Sequence, residues 1–116
     1  TLVFWRSSSQ PSLEAIRELQ NSDNKAAEKT IVLAINDGES PTAARRALKV
    51  AKLSATLVAD PKREISSGYG IRMWPTIISI DASGQIDAIR YGHSAAKAGK
   101  SKATRATKKK SAKARR

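Results

Sequence analysis

The sequence predicts an α/β domain: a mixed sheet with helices on its faces, closed by an antiparallel hairpin. Three observations carry this. Short apolar runs alternate with stretches of helical periodicity through most of the chain. Gly, Pro, Asp and Ser punctuate the junctions between them. The last two apolar runs are separated only by Asp81-Ala82-Ser83-Gly84, which is long enough for a turn but not for a crossover.

Leu2 to Trp5 is short, apolar and aromatic, the composition of a buried strand, and Arg6 to Ser9 breaks it with polar residues. Pro11 then stands where a first-turn helix proline belongs, with Ser9 or Gln10 as the cap before it. Leu13, Ile16 and Leu19 recur at helical spacing, and Glu14 and Glu18 lie on the N-terminal side that the helix dipole favours for acids. Asn21 to Asn24 is expected to end this helix. Ile31 to Ile35 is a continuous apolar run, the pattern of a central parallel strand, after which Asp37-Gly38 turns the chain. Ser40-Pro41 opens a second helix. Its Ala44, Ala47, Leu48 and Ala51 mark one face, opposite a stripe of Arg45, Lys49 and Lys52. Thr56 to Ala59 reads as a third strand. Asp60-Pro61 starts a short helix that Gly68 and Gly70 close. Thr76 to Ile80 and Gln85 to Tyr91 are the hairpin strands.

The 116 residues suit one domain with a modest core. Charge divides the chain further. Lys and Arg number 22 against 10 Asp and Glu, a formal net charge of +12. Residues 1–93 hold 12 basic and 10 acidic side chains, so the other 10 cations all fall in residues 94–116, which contain no acid. That segment also lacks Leu, Ile, Val, Met and aromatics. It cannot bury enough apolar surface to offset the entropy of ordering and is expected to be disordered when free. The organisation expected is a domain over 1–93 and a basic tail over 94–116. In the tail, Lys97, Lys100, Lys102, Arg105, Lys108, Lys109, Lys110, Lys113, Arg115 and Arg116 have no interleaved aromatics. They suit nonspecific phosphate contact rather than base reading. Nucleic acid or an anionic lipid surface fits such a tail; a solubilising segment with no specific partner is the plainer alternative.

Cysteine is absent, which removes disulfides, thiolate metal sites and thiol nucleophiles together. No apolar run approaches the roughly 18–20 residues that cross a membrane, and no targeting segment is visible. The start at Thr1, straight into an apolar strand, reads as a processed or truncated beginning. Asp37, Glu39, Asp60 and Asp81 read as turn or cap residues rather than metal ligands, so no metal or cofactor is expected. Gly68-Tyr69-Gly70 lacks the third glycine and the strand-to-helix context of a phosphate loop.

Four stretches together resemble one family. Leu2-Val3-Phe4-Trp5-Arg6 looks like the strand that leads into a thioredoxin active site, and Ser9-Gln10-Pro11-Ser12 occupies the place of its Cys-x-Pro-Cys motif. Ile35-Asn36-Asp37-Gly38-Glu39-Ser40 is similar to the strand end and turn of TlpA/ResA-type thiol-disulfide oxidoreductases. Tyr69-Gly70-Ile71-Arg72-Met73-Trp74-Pro75-Thr76 resembles their cis-proline loop. The resemblance spans residues 1 to about 92. It implies a thioredoxin fold with a central mixed sheet of about five strands and an extracytoplasmic or cell-envelope setting. It also implies a cis Trp74–Pro75 bond.

In that family a cysteine at a helix N-terminus is held as thiolate, and a second one turn later resolves the mixed disulfide. Both positions are serine here, Ser9 and Ser12, so the redox step is absent, and Ala15 stands where such proteins often carry an acid. A serine hydrolase would need a base beside the nucleophile. The lone His93 lies at the far end of the last strand, so Ser9 is read as a helix cap and Ser12 as a tolerated small residue. The preferred expectation is a redox-inactive domain that binds an extended protein segment at a groove of Trp5, Ser9, Gln10, Pro11, Ser12, Trp74 and Pro75. Backbone pairing there does not need thiols. For Trp5 and Trp74 the sequence leaves groove and core equally open. An oxidoreductase whose two cysteines have been replaced by serine is the alternative. The family's fold closes with an amphipathic helix over one sheet face. After Tyr91 this chain offers Ala and Lys, so that helix is expected to be weak or missing and the exposed face to invite a partner or self-association.

Overall fold

The computed structural model describes residues 1–25 and 30–92. Eight elements follow in the order β1 (Leu2–Trp5), α1 (Gln10–Lys25), β2 (Leu33–Asp37), α2 (Pro41–Val50), β3 (Thr56–Asp60), α3 (Glu64–Gly68), β4 (Thr76–Ile80) and β5 (Ile86–Tyr91). The strands form one sheet in the order β3-β2-β1-β4-β5. β1, β2 and β3 run parallel through α1 and α2, and β4 and β5 are antiparallel. This is a thioredoxin-like fold. The domain boundary at 93, His93, the basic segment 94–116 and any closing helix lie outside the described residues.

Alternation along the strands separates two cores. Val3 and Trp5 of β1, Ala34 of β2 and Ile77 of β4 face Ala15 and Ile16 of α1 and Ala44 and Leu48 of α2. Both long helices therefore cover the same face. Leu2, Phe4, Ile35 and Ile78 point the other way and meet Ile71, with the Phe4 and Tyr69 rings 5.4 Å apart. On this second face β5 leaves Ile86, Ile89 and Tyr91 exposed. The β4–β5 register shifts at Ser79/Ile80, so Ile86 pairs with Ile80 and shares the face of Ile89, which pairs with Ile78.

Three of the boundaries that differ from the sequence reading have a visible cause. β2 begins at Leu33, not Ile31, because its register starts with the first β1 residue, Leu2↔Leu33. Ile31 is 76% exposed and is held only by the Thr1 amino group on its carbonyl. α1 continues through Asn21–Asn24 to Lys25; its far half is tied to the α2–β3 loop by Arg17 on the Ala51 carbonyl and by the Ser54 N–H on Gln20. α3 starts at Glu64 rather than at Pro61, because Arg63 adopts a left-handed conformation (φ 60°) and inserts a turn. Asp60 still serves that helix from the end of β3. Its carboxylate accepts the Ile65 N–H, the Ser66 N–H and the Ser66 hydroxyl.

Candidate functional site

Parallel strands deliver their C-terminal ends to one edge of the sheet, and β4, running the opposite way, begins at that same edge. Ligands of open α/β sheets gather there. Four segments meet: Arg6–Ser12 after β1, Asp37–Ser40 after β2, Asp60–Arg63 after β3 and Ile71–Pro75 before β4.

Ser9 caps α1. Its hydroxyl accepts the Ser12 N–H at 3.2 Å, and its carbonyl accepts Ser12 N–H at 2.9 Å and Leu13 N–H at 3.3 Å. The same hydroxyl lies 3.4 Å from the Trp74 carbonyl, a long contact that joins the helix start to the loop before β4. The Trp74–Pro75 peptide bond is cis. Ser9 is half-buried, Gln10 and Pro11 are exposed and Ser12 is fully buried. The Ser12 hydroxyl has no hydrogen-bond partner. Neither serine touches an imidazole, carboxylate or amine among the described residues, so no activated serine nucleophile is assembled there.

The two tryptophans separate. Trp74 is half-buried at the site, whereas Trp5 is fully buried in the core beneath α1 and does not line the groove. Its indole N–H and the buried Asn36 side-chain oxygen are unpartnered, as is Ser12. Trp5 thus supports the site from below. Alternation decided this, because Trp5 follows Val3 onto the helix-covered face.

A polar network absent from the sequence reading holds the rest. Asp37, the last residue of β2, is fully buried. Its carboxylate accepts Arg63 Nε at 2.6 Å, Arg63 Nη2 at 3.3 Å and Trp74 Nε1 at 2.7 Å. Arg63 Nη2 also donates to the Ile71 carbonyl at 3.0 Å, and the hydrogen bond to Asp37, with the Asp37 charge, holds its guanidinium above the usual pKa. Asp37 therefore fixes the indole of Trp74 and both ends of the loop that carries it. Arg6 completes the cluster. Its Nε donates to the Asp37 carbonyl at 2.8 Å, and its guanidinium carbon sits 4.3 Å from the Trp74 ring centroid.

Glu39 joins the β1–α1 loop to the β2–α2 loop. It accepts the Ser7 N–H at 2.9 Å, the Ser7 hydroxyl at 2.7 Å and the Asn36 amide at 2.8 Å. Burial raises its pKa, but these bonds and the nearby Arg6 charge outweigh burial and hold it below the ordinary 4.5. Asp37 and Glu39, read from the sequence as turn or cap residues, thus organise the site. No group of His, Cys, Asp and Glu that could hold a metal occurs among the described residues. No described helix is long and apolar enough to cross a membrane.

The AhpC/TSA family model matches residues 1–89. The chain belongs to that family. This AhpC/TSA domain is also similar to solved thiol-disulfide oxidoreductases. A Bacteroides fragilis thiol-disulfide oxidoreductase shares 31% identity over 76% of this chain and 68% of its own, with a TM-score of 0.63. A Chlorobium tepidum structure assigned as the thiol:disulfide interchange protein DsbE shares 26% identity, with a TM-score of 0.72, over 78% of this chain. The chain spans 65% of that protein's length. StoA from Bacillus subtilis, at 22% identity and a TM-score of 0.64 over 78% of this chain and 71% of its own, shares the fold. No curated protein matches the chain. With no cysteine, this AhpC/TSA domain has no thiol with which to exchange disulfides.

Proposed function

We propose that this domain binds an extended protein segment along the loop before β4, beside Ser9, without thiol chemistry. The observation that carries the reading is the state of that loop. Arg72 and Met73 are exposed, and Arg72 makes no hydrogen bond or ion pair among the described residues. Its main-chain N–H and carbonyl are therefore available to pair with an extended backbone, as sheet-edge recognition requires. The helix start at Ser9 and the fixed ring of Trp74 bound that position. A titration of the isotope-labelled chain with short extended peptides tests the proposal. Amide shifts confined to Ser9–Ser12 and Arg72–Trp74 are expected; shifts only in residues 94–116, or none, would sink it.

A second reading is an oxidoreductase site that has lost only its sulfurs. It is supported by the asymmetry of the two serines. One is half-buried at a helix start and the other fully buried a turn later, as an attacking thiolate and a resolving thiol require. The Ser9→Cys, Ser12→Cys double variant should then reduce insulin disulfides while the parent does not. Activity in neither would leave binding as the role of the edge.

A further inference from the structure

The Arg6 side chain is built into the groove edge and yet keeps donors unspent. Its Nε is committed to the Asp37 carbonyl and its flat face to the Trp74 ring. Its two terminal nitrogens carry no hydrogen bond to a described residue. Stacking on an indole occupies the face of a guanidinium and leaves its edge N–H groups to donate, in the fork that matches a carboxylate. Gly38 makes room for it. A Cβ at that position would lie 2.8 Å from Arg6 Nη2, and the backbone there has φ +82°. Arg6 is therefore held in place before any ligand arrives, which lowers the ordering cost of binding.

The surrounding charges are arranged to the same effect. The three carboxylates at this edge already accept hydrogen bonds, and Asp37 and Asp60 are buried. Asp37 is taken by Arg63 and Trp74, Glu39 by Ser7 and Asn36, and Asp60 by Ile65 and Ser66. Glu39 lies close enough to feel the Arg6 charge but forms no ion pair with it. Outward, Arg72 stands exposed two residues before Trp74, with no ion pair among the described residues. An approaching segment therefore meets the edges of Arg6 and Arg72, while the Asp37 charge is paired with Arg63 and the Asp60 carboxylate is buried.

We infer that the groove selects an acidic extended segment, with a carboxylate of the ligand bound by the terminal nitrogens of Arg6. The inference rests on the peptide-binding reading above and adds the ligand's charge to it.

The test uses the full chain and two synthetic peptides, one of alternating Asp and Ser and its counterpart with Asn for Asp. Occupancy is read at physiological salt from the Trp74 indole N–H and the Ser9 amide, which report the groove and not the tail. The Asp peptide should bind about tenfold more tightly than the Asn peptide, the value of one charge-assisted pair. Arg6→Gln should bring that ratio near one, and Arg6→Lys should leave an intermediate ratio because the fork is gone while the charge remains. Lys49→Gln, the same charge change on the far end of α2, should leave it as in the parent. If both peptides move Trp74 and Ser9 with equal affinity, the groove binds peptides but the selection for acid falls. An unchanged ratio in Arg6→Gln also overturns it. If neither peptide moves those signals, the peptide-binding reading and this inference fall together.

Discussion

At the residue scale, the two serines that stand at the cysteine positions have opposite energetic roles. The Ser9 hydroxyl caps α1, so Ser9→Ala should lower stability by about 1 kcal/mol. The Ser12 hydroxyl is buried without a partner, so Ser12→Ala removes an unsatisfied group and should leave stability unchanged or raise it. Urea denaturation of both variants checks the pair, and an equal loss in the two would contradict this assignment. Glu39 and Asp60 make a pH prediction. In Asp60, burial raises the pKa, but the bonds from Ser66 and Ile65 outweigh it and the value falls below 3.8. A carboxyl with a lowered folded pKa adds stability that is fully present above its unfolded value. That stability is lost as pH falls through the folded value. Stability should therefore hold above about pH 5 and decline on further acidification. Glu39→Gln should be less stable than the parent at neutral pH and show a shallower acid decline, which urea midpoints across the pH range would reveal. The Ser9 cap and the place of Asp60 at a helix start were legible in the sequence; the partners of Asp37 and Glu39 were not. A carboxylate beside a glycine looks the same whether it faces water or, like Asp37, receives an arginine and an indole 26 and 37 positions away.

At the scale of elements, strand and helix order was legible because apolar runs and helical periodicity do not depend on distant partners. Boundaries were less so, since each was decided by a contact. β2 starts where β1 can pair with it, and α3 starts where Arg63 releases the chain to the Asp60 carboxylate. The β2–α2 loop shows how local chemistry and site geometry coincide. Ser40 caps α2 through its hydroxyl on the Ala43 N–H at 3.1 Å, and Ser40→Ala should lower stability by about 1 kcal/mol. Gly38→Ala carries two penalties, a left-handed backbone and a Cβ driven against Arg6. It should destabilise by about 1 kcal/mol or more and displace the guanidinium from Trp74. A shift of the Trp74 indole resonance in Gly38→Ala but not in Ser40→Ala would distinguish the two effects; equal spectra would show that Arg6 does not depend on Gly38.

At the scale of the whole molecule, residues 1–93 are nearly neutral and residues 94–116 carry a concentrated positive charge. The resemblance identified the fold because its four stretches lie at the ends of strands, where the architecture forces them together. It left Trp5 and Trp74 open between groove and core, since a motif records which residues approach the edge and not which side of the sheet they take. The distribution of charge needed no structure. Ten cations and no acid in residues 94–116 would engage a polyanion by releasing counterions, so the dependence on salt would count the contacts. If all engage duplex DNA, the log–log slope of affinity against salt should approach about −9. Replacing Lys108, Lys109 and Lys110 with Ser should make that slope shallower by about 3, whatever the DNA sequence. The acid preference at Arg6 involves a single ion pair and should change little in the same triple variant, because the two effects arise from different parts of the chain. A triple variant with an unchanged DNA slope would move the polyanion contact from the tail to the domain, where exposed Arg45, Arg46, Lys49 and Lys52 are the remaining cations on and just after α2.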